Sequence, residues 1–523
     1  MKKVTALLLI CLLLTGCNQR VVASVTDPTP EPPTETQSAP FSPGSPSTEY
    51  KSRFSSETRI TLSDSGIDLD GDPDSVHTSR DILYYEDRDT YDSGNPYGEG
   101  VAWEKHTTQE AEAHTVVNIT APGTYRISGT LSAGQILVDL GEDAEEDPDA
   151  VVELILDDAD ITCTVAPAIV FRNVYECAGD LTEETASGEA DTSAAGANLI
   201  LVGDNSVTGS HVARIYRDND QKKKLWKQDG AIYSYMSMNV FGPGALLLTA
   251  DNEGLDTELH LTIQGGDITI RSGNDGINTN EDNLSVTTVN GGNLHITAGL
   301  SGEGDGIDSN GYLVVNGGTV TALAHPASDS GLDSSCGTYL NGGTVLALGA
   351  AMDRADEGSR QETLNLQFAR YQSGTLVVEG EDGTLVFSYA PETEADSRQY
   401  QGAVISCPEL KQGETYHIYS DGVLLGHSGA HGDRDFGGFR PGGAPPEGFD
   451  GQRPDMPQDG EPPKDMPDGE RPEPPEGDQP MPENFPKAPG GFQSDSQDTD
   501  ALSTDFTLTD RISSFFGLTP AEK

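Results

Sequence analysis

One short phrase, used four times at nearly regular spacing, constrains what this chain can fold into more than any other feature. It reads Glu253-Gly254-Leu255-Asp256-Thr257, Asp275-Gly276-Ile277-Asn278-Thr279, Asp305-Gly306-Ile307-Asp308-Ser309 and Ser330-Gly331-Leu332-Asp333-Ser334, with central glycines 22, 30 and 25 residues apart. A Gly-Gly turn alternates with it at Gln264-Gly265-Gly266, Asn290-Gly291-Gly292, Asn316-Gly317-Gly318 and Asn341-Gly342-Gly343, in steps of 26, 26 and 25. Periods of this size mark solenoids, propellers or arrays. Between the phrases lie alternating runs such as Leu259-His-Leu-Thr-Ile263 and Leu294-His-Ile-Thr-Ala298, which suit strands and are too short for helices. A unit of this length cannot bury its apolar face alone, so successive units must stack to complete a core. Propeller blades need about 40 residues, and the Leu/Asn spacing of leucine-rich repeats is absent. The expected fold is all-β, a right-handed parallel β-helix over residues 58–428.

Upstream, Gly123-Thr-Tyr-Arg-Ile-Ser-Gly129, Gln135-Ile-Leu-Val-Asp139 and Val151-Val-Glu-Leu-Ile-Leu156 read as early coils of the same stack. Asp229-Gly230-Ala231-Ile232-Tyr233 lies 24 residues before the Glu253 phrase, counted glycine to glycine. Residues 1–17 carry Lys2, Lys3, an apolar run and Leu14-Thr15-Gly16-Cys17, which resembles a bacterial lipoprotein signal with Cys17 as the acylated residue. That implies a lipid anchor and a place on the outer face of the cell membrane. Residues 18–57 form a Pro/Ser/Thr-rich linker. Residues 429–503 read as a disordered tail, with 15 prolines between positions 441 and 490. Apolar spacing returns in 504–523 at Phe506, Leu508, Ile512, Phe515 and Phe516, a segment that can dock on an exposed end of the stack.

The phrases also stack side chains. Equivalent residues of successive coils lie about 4.8 Å apart, and two carboxylates at that distance repel by roughly 3–4 kcal/mol at an effective dielectric of 20. Residues flanking each inward Leu or Ile should point outward, so Asp256, Asn278, Asp308 and Asp333 form one column, with Glu253, Asp275 and Asp305 beside it. Hard oxygen ligands without nearby His or Cys select calcium; Asp-Gly and Asn-Gly are also good turn formers without any metal. With 31 Lys+Arg against 86 Asp+Glu and a formal net charge of −55, nucleic acid is a poor partner and a divalent cation a good one. Arg271 is the one basic residue among positions 251–350. Positive charge gathers instead at Lys222, Lys223, Lys224 and Lys227 around Trp226, which reads either as a saccharide-binding loop or as a solvated one. Cys163, Cys177, Cys336 and Cys407 leave disulfide connectivity open. His260 and His295 sit at surface-compatible strand positions without metal-ligand spacing, so a structural role is expected.

The ordered set Gly123-Thr-Tyr-Arg-Ile-Ser-Gly-Thr-Leu131, Gln135-Ile-Leu-Val-Asp139, Asp229-Gly-Ala-Ile-Tyr233, the Asp-Gly-Ile phrases and Cys407-Pro-Glu-Leu-Lys-Gln-Gly-Glu-Thr-Tyr416 resembles the carbohydrate-binding β-helix lipoproteins. That family looks like pectate lyases in fold and binds acidic plant polysaccharides with calcium. The family often follows Asp-Gly-Ile with lysines and further aspartates, whereas here Asp256, Asn278, Asp308 and Asp333 occupy the next position and Ser330 replaces an acid. The resemblance implies non-catalytic, calcium-assisted binding of a pectin-like polyuronate at the cell surface. An anchored polysaccharide lyase ranks second and a purely structural surface protein third. A lyase would need a Lys or Arg base beside calcium, because an unperturbed Asp is too weak to take a proton alpha to a carboxylate.

Overall fold

In the computed structural model, which describes residues 50–87, 106–179, 181–215, 228–350, 353–431 and 502–521, the Asp-Gly phrases become short parallel strands in register. Glu253–Thr257, Ile277–Thr279, Ile307–Ser309 and Leu332–Ser334 pair so that Leu255, Ile277, Ile307 and Leu332 are Cα partners. The same ladder runs upstream through Gly230–Ser234, Ile169–Asn173, Gly134–Asp139 and Thr115–Ile119. Val76–Ser79 adds antiparallel at its end and completes a nine-stranded sheet. A second parallel ladder contains Met238–Phe241, Leu261–Ile263, Val286–Val289, Tyr312–Val315 and Gly337–Leu340. A third contains Asp204–Gly209, Ala245–Ala250, Asp267–Ser272, Asn293–Thr297, Thr319–Leu323 and Thr344–Gly349. Helix among the described residues is confined to Thr108–Glu112 and the 3₁₀ turn Ala144–Glu146.

The two phrases turn the chain for different physical reasons. The second glycine of each Gly-Gly pair has φ of +110, +87, +83 and +84° at Gly266, Gly292, Gly318 and Gly343, a region that L side chains avoid. Beside them the amides form a ladder: Asn316 Nδ2 donates to Asn290 Oδ1 at 2.9 Å, and Asn341 Nδ2 to Asn316 Oδ1 at 3.0 Å. The Asp-Gly glycines need closeness instead. A Cβ on Gly276 would lie 2.5 Å from the Gly306 carbonyl oxygen and 2.2 Å from Ile296 Cγ2. Leu255, Ile277, Ile307 and Leu332 stack into the core without meaningful exposure. Truncating Ile307 to Ala should cost about 2–5 kcal/mol, by lost transfer energy plus the cavity left behind. A urea midpoint within error of the parent would refute that packing.

After Thr344–Gly349 the pairing changes, which departs from the expected continuous parallel stack to residue 428. Thr363–Gln372 and Tyr400–Ser406 are antiparallel, as are Leu376–Gly380, Leu385–Tyr389 and Thr415–Ser420. The reason is connection length: four residues join Gly380 to Leu385 around Gly383 at φ +79°, enough for a hairpin and too few for a parallel crossover. This part has its own core of Leu364, Phe368, Tyr400, Ile418, Phe506 and Phe515. The C-terminal strand Ile512–Pro520 adds parallel to Thr363–Gln372, and Ile512 reaches the first core, so the apolar segment docks as its spacing suggested. Asp396 fastens the two parts. It accepts from Thr297 Oγ1 at 2.7 Å and pairs with His295 at 3.1 Å, while Arg398 donates to the Ala298 and Gly299 carbonyls.

Candidate functional site

The register puts the predicted acidic column in place. Asp256, Asn278, Asp308 and Asp333 are successive Cα partners, with Tyr233 one strand before Asp256. Four residues depart from the outward, exposed position expected of them: Asp256 is 0%, Asn278 3%, Glu253 4% and Asp275 8% exposed. Their burial has local partners, since Asn280 Nδ2 donates to Asp256 Oδ1 at 2.6 Å and Asn278 Nδ2 to Glu253 Oε1 at 3.2 Å. Asp308 and Asp333 are half-buried.

The neighbouring acids form a staircase along the stack. Asp275 Oδ1 accepts the Asp305 backbone N–H at 2.7 Å, and Asp305 Oδ1 accepts the Ser330 N–H at 2.6 Å. Each carboxylate therefore holds the first residue of the next phrase, and Ser330 closes the series because only its backbone is needed. Burial pushes the Asp305 carboxyl up to about 8, against the help of the Ser330 N–H, with Asp333, Asp308 and Asp329 adding repulsion. Burial also drives Asp275 well above the usual carboxylate range, joined by the charges of Glu253, Asp308 and Asp305. Asp333 rises for the same first reason, and Asp353, buried beside Asp333, is pushed up to about 7.

Such a column has acceptors in excess of donors. Glu253 Oε2, Asn278 Oδ1 and Asn280 Oδ1 are buried oxygens with no hydrogen-bond partner, and an unmet buried acceptor costs about 1–3 kcal/mol. These oxygens suit a hard cation in chemistry. Among the described residues no three His, Cys, Asp or Glu side chains converge on one point as a ready metal cage. Asn and backbone carbonyl oxygens are of the same hard type that calcium takes, and Asn278 and Asn280 each carry one such unmet oxygen beside the acids.

Asn280, Asp329 and Asp353 escaped the sequence reading because none occupies a phrase position. Only the alternation Ile277-Asn-Thr-Asn280 hinted that Asn280 faces the same way as Asn278. Lys222, Lys224, Trp226, Lys227 and the proposed acylation site Cys17 lie outside the described residues. The basic segment's ends do not: Val212 N–H donates to the Gln228 carbonyl at 3.0 Å, and Glu253 N–H to the Asp229 carbonyl at 3.1 Å. Gln228 and Asp229 thus lie beside the head of the acidic column.

His260 is a correction. It is buried rather than at the strand surface, accepts from the Val286 N–H at 3.1 Å, and is pushed down to about 4 by burial. A neutral imidazole serving one backbone group is structural, as expected. Cys163, Cys177, Cys336 and Cys407 are free thiols, and burial raises Cys163 and Cys177 to about 12 and Cys407 to about 11.

A sequence model of the carbohydrate-binding domain-containing proteins matches residues 113–385, more than half of the chain and all four Asp-Gly phrases. The chain belongs to that family. A carbohydrate-binding domain-containing protein from Acetivibrio thermocellus is 32% identical over 157 residues, covering 30% of this chain and 45% of the relative, so the chain spans less than half that relative's length. A solved structure, the polysaccharide lyase-like protein from C. thermocellum as its gadolinium derivative, covers 58% of this chain and 95% of its own at 22% identity and a TM-score of 0.33. Within the matched region of this carbohydrate-binding domain-containing protein lie the acidic column, its Asn278 and Asn280 amides and the flanks of the basic segment.

Proposed function

We propose that the protein holds an acidic polysaccharide of the pectin or polygalacturonate type at the cell surface, assisted by calcium and without cleaving it. Family membership supports a carbohydrate ligand. The observation that carries the finer reading is the set of buried, partnerless oxygens, Glu253 Oε2, Asn278 Oδ1 and Asn280 Oδ1, among carboxyls that resist ionisation in place. Glu253, Asp275, Asn278 and Asn280 would hold calcium at one end of the column, and Asp256, Asp305, Asp308 and Asp333 would extend its reach. A bound cation would supply a positive charge able to bridge protein and uronate carboxylates. A polyanion otherwise meets a protein of −55 net charge, so attachment needs such a bridge or the basic Lys222, Lys224 and Lys227 with Trp226 as a stacking face.

Three parallel ladders that advance once per phrase period support a parallel β-helix as the scaffold, right-handed because nearly all parallel crossovers are. The residues around Cys17 support a lipid anchor that places the binding face outside the cell. The non-catalytic reading rests on the base: Arg271, the one Lys or Arg in positions 251–350, pairs with Thr249 and Thr297 on the third ladder instead of joining the column.

Retention on immobilised polygalacturonate tests this directly. Binding should be strong in calcium, fall at least tenfold in chelator and in Trp226→Ala, weaken with salt, and release no unsaturated product by ultraviolet absorbance. Product formation abolished by changing one of the lysines would install the lyase reading instead. Retention indifferent to calcium and to Trp226→Ala would leave the structural role.

A further inference from the structure

The second ladder continues upstream from Met238–Phe241 through Ala197–Val202, Val152–Thr162 and Gly123–Leu131, and on its outward face opens a cavity of about 530 Å³. Its floor is Ile155, Ile200, Val202 and Pro243. Ile155, Ile200 and Val202 alternate along their strands with Leu154, Leu199 and Leu201, which fill the core, so an apolar stripe here faces away from the core. Residues 50–56 cross over it and are fastened by Glu153, a carboxylate with no exposed surface. Glu153 accepts from Ser52 Oγ at 2.5 Å, Thr124 Oγ1 at 2.6 Å and the Arg53 N–H at 2.8 Å. Tyr50 and Phe54 contribute rings to the lining, and the Tyr50 ring meets Phe241 at 4.8 Å.

Polar side chains complete the wall, Arg126 and Glu57 among them. Arg126 donates through Nε to Glu57 Oε2 at 3.1 Å and through Nη1 to Asp157 Oδ2 at 2.9 Å. An apolar floor, aromatic rings and a few converging polar groups in a space of this size are the ordinary make-up of a small-molecule site. The charge pattern selects the ligand. Arg126 is already balanced by two carboxylates, so an anion would meet their repulsion and a cation the guanidinium. A hydroxyl suits both, because it donates to a carboxylate and accepts from the guanidinium. The C–H face of a pyranose ring suits the aromatic and aliphatic surfaces.

We propose that this cavity is a second saccharide site, taking a neutral pyranose unit without calcium. It shares no residue with the acidic column, so it stands or falls apart from the polyuronate reading. Titration calorimetry on the full chain, in chelator, with neutral tetrasaccharides of glucose, mannose and galactose tests it. At least one should bind saturably, and Val202→Trp, which fills the floor, and Tyr50→Ala, which removes a ring, should each weaken it tenfold or more. Melting temperature and calcium-dependent polygalacturonate retention should stay at parental values in Val202→Trp. Absence of saturable binding by all three sugars at millimolar concentration overturns the proposal, as does undiminished binding in Val202→Trp. Neutral binding that persists where polygalacturonate retention fails supports this site and refutes only the calcium reading.

Discussion

Freed of divalent cations, the protein should be more stable at pH 5 than at pH 8, and calcium should remove most of the difference. Burial pushes Asp305 up to about 8 and Asp353 up to about 7 in the folded protein, and raises Asp275 and Asp333 as well. In the unfolded chain each returns to about 3.9. Between those values the folded state binds more protons, so stability falls as pH rises. The contribution is complete below about pH 4 and lost as pH passes 7 and then 8. Asp396 does not mask it. Burial opposes its charge, but hydrogen bonds from Thr297, His295 and Thr393 hold it down to about 2, so its contribution is present above about pH 4 and lost only in stronger acid. Ionising such carboxyls in place costs on the order of a few kcal/mol together, enough to lower the melting temperature by about 5 °C or more. Calcium bound as proposed would favour the ionised form, and at 100 times its Kd would restore about 2.7 kcal/mol by mass action. Calorimetric scans at both pH values, in chelator and in calcium, read this out. A melting temperature flat from pH 5 to pH 8 in chelator would show that the column carries no such strain.

Adding one methyl group at Gly276 should be more damaging than removing three carbons from Ile307. The new Cβ would lie 2.5 Å from the Gly306 carbonyl oxygen, a backbone atom that cannot rotate away, and 2.2 Å from Ile296 Cγ2. Gly254, Gly306 and Gly331 meet equally close backbone oxygens, at 2.4, 2.3 and 2.5 Å, so the strands cannot yield locally. Gly276→Ala should therefore cost more than about 4 kcal/mol, beyond the roughly 1–3 kcal/mol typical of core overpacking, because the clash is with backbone. Gly302, where a Cβ would meet nothing within 4 Å, is the control and should tolerate Ala within about 0.5 kcal/mol. Equal urea midpoints for the two variants would count against the close strand stacking.

The phrases made the column legible because a repeat is also a register. Aligning Leu255, Ile277, Ile307 and Leu332 by text aligned them in space, and their neighbours Asp256, Asn278, Asp308 and Asp333 followed. What covers the column was not legible. The burial of Asp256 depends on Asn280, 24 residues away in sequence and outside any phrase. Alternation after residue 363 identified strands but not partners, since the same pattern serves parallel and antiparallel pairs; the short link from Gly380 to Leu385 decides between them. The cavity over Ile155 and Ile200 left no local signal, because Glu153 fastens Ser52 and Arg53 about a hundred residues away.

Calcium binding by the column is the claim on which the polyuronate reading depends, and titration calorimetry of calcium into metal-free protein measures it. The parent and an Asp455→Ala control in the tail should bind saturably and alike, while the double change Asp305→Ala, Asp308→Ala should weaken the affinity at least tenfold. Absence of saturable binding, or identical isotherms for the parent and the double variant, would contradict the account.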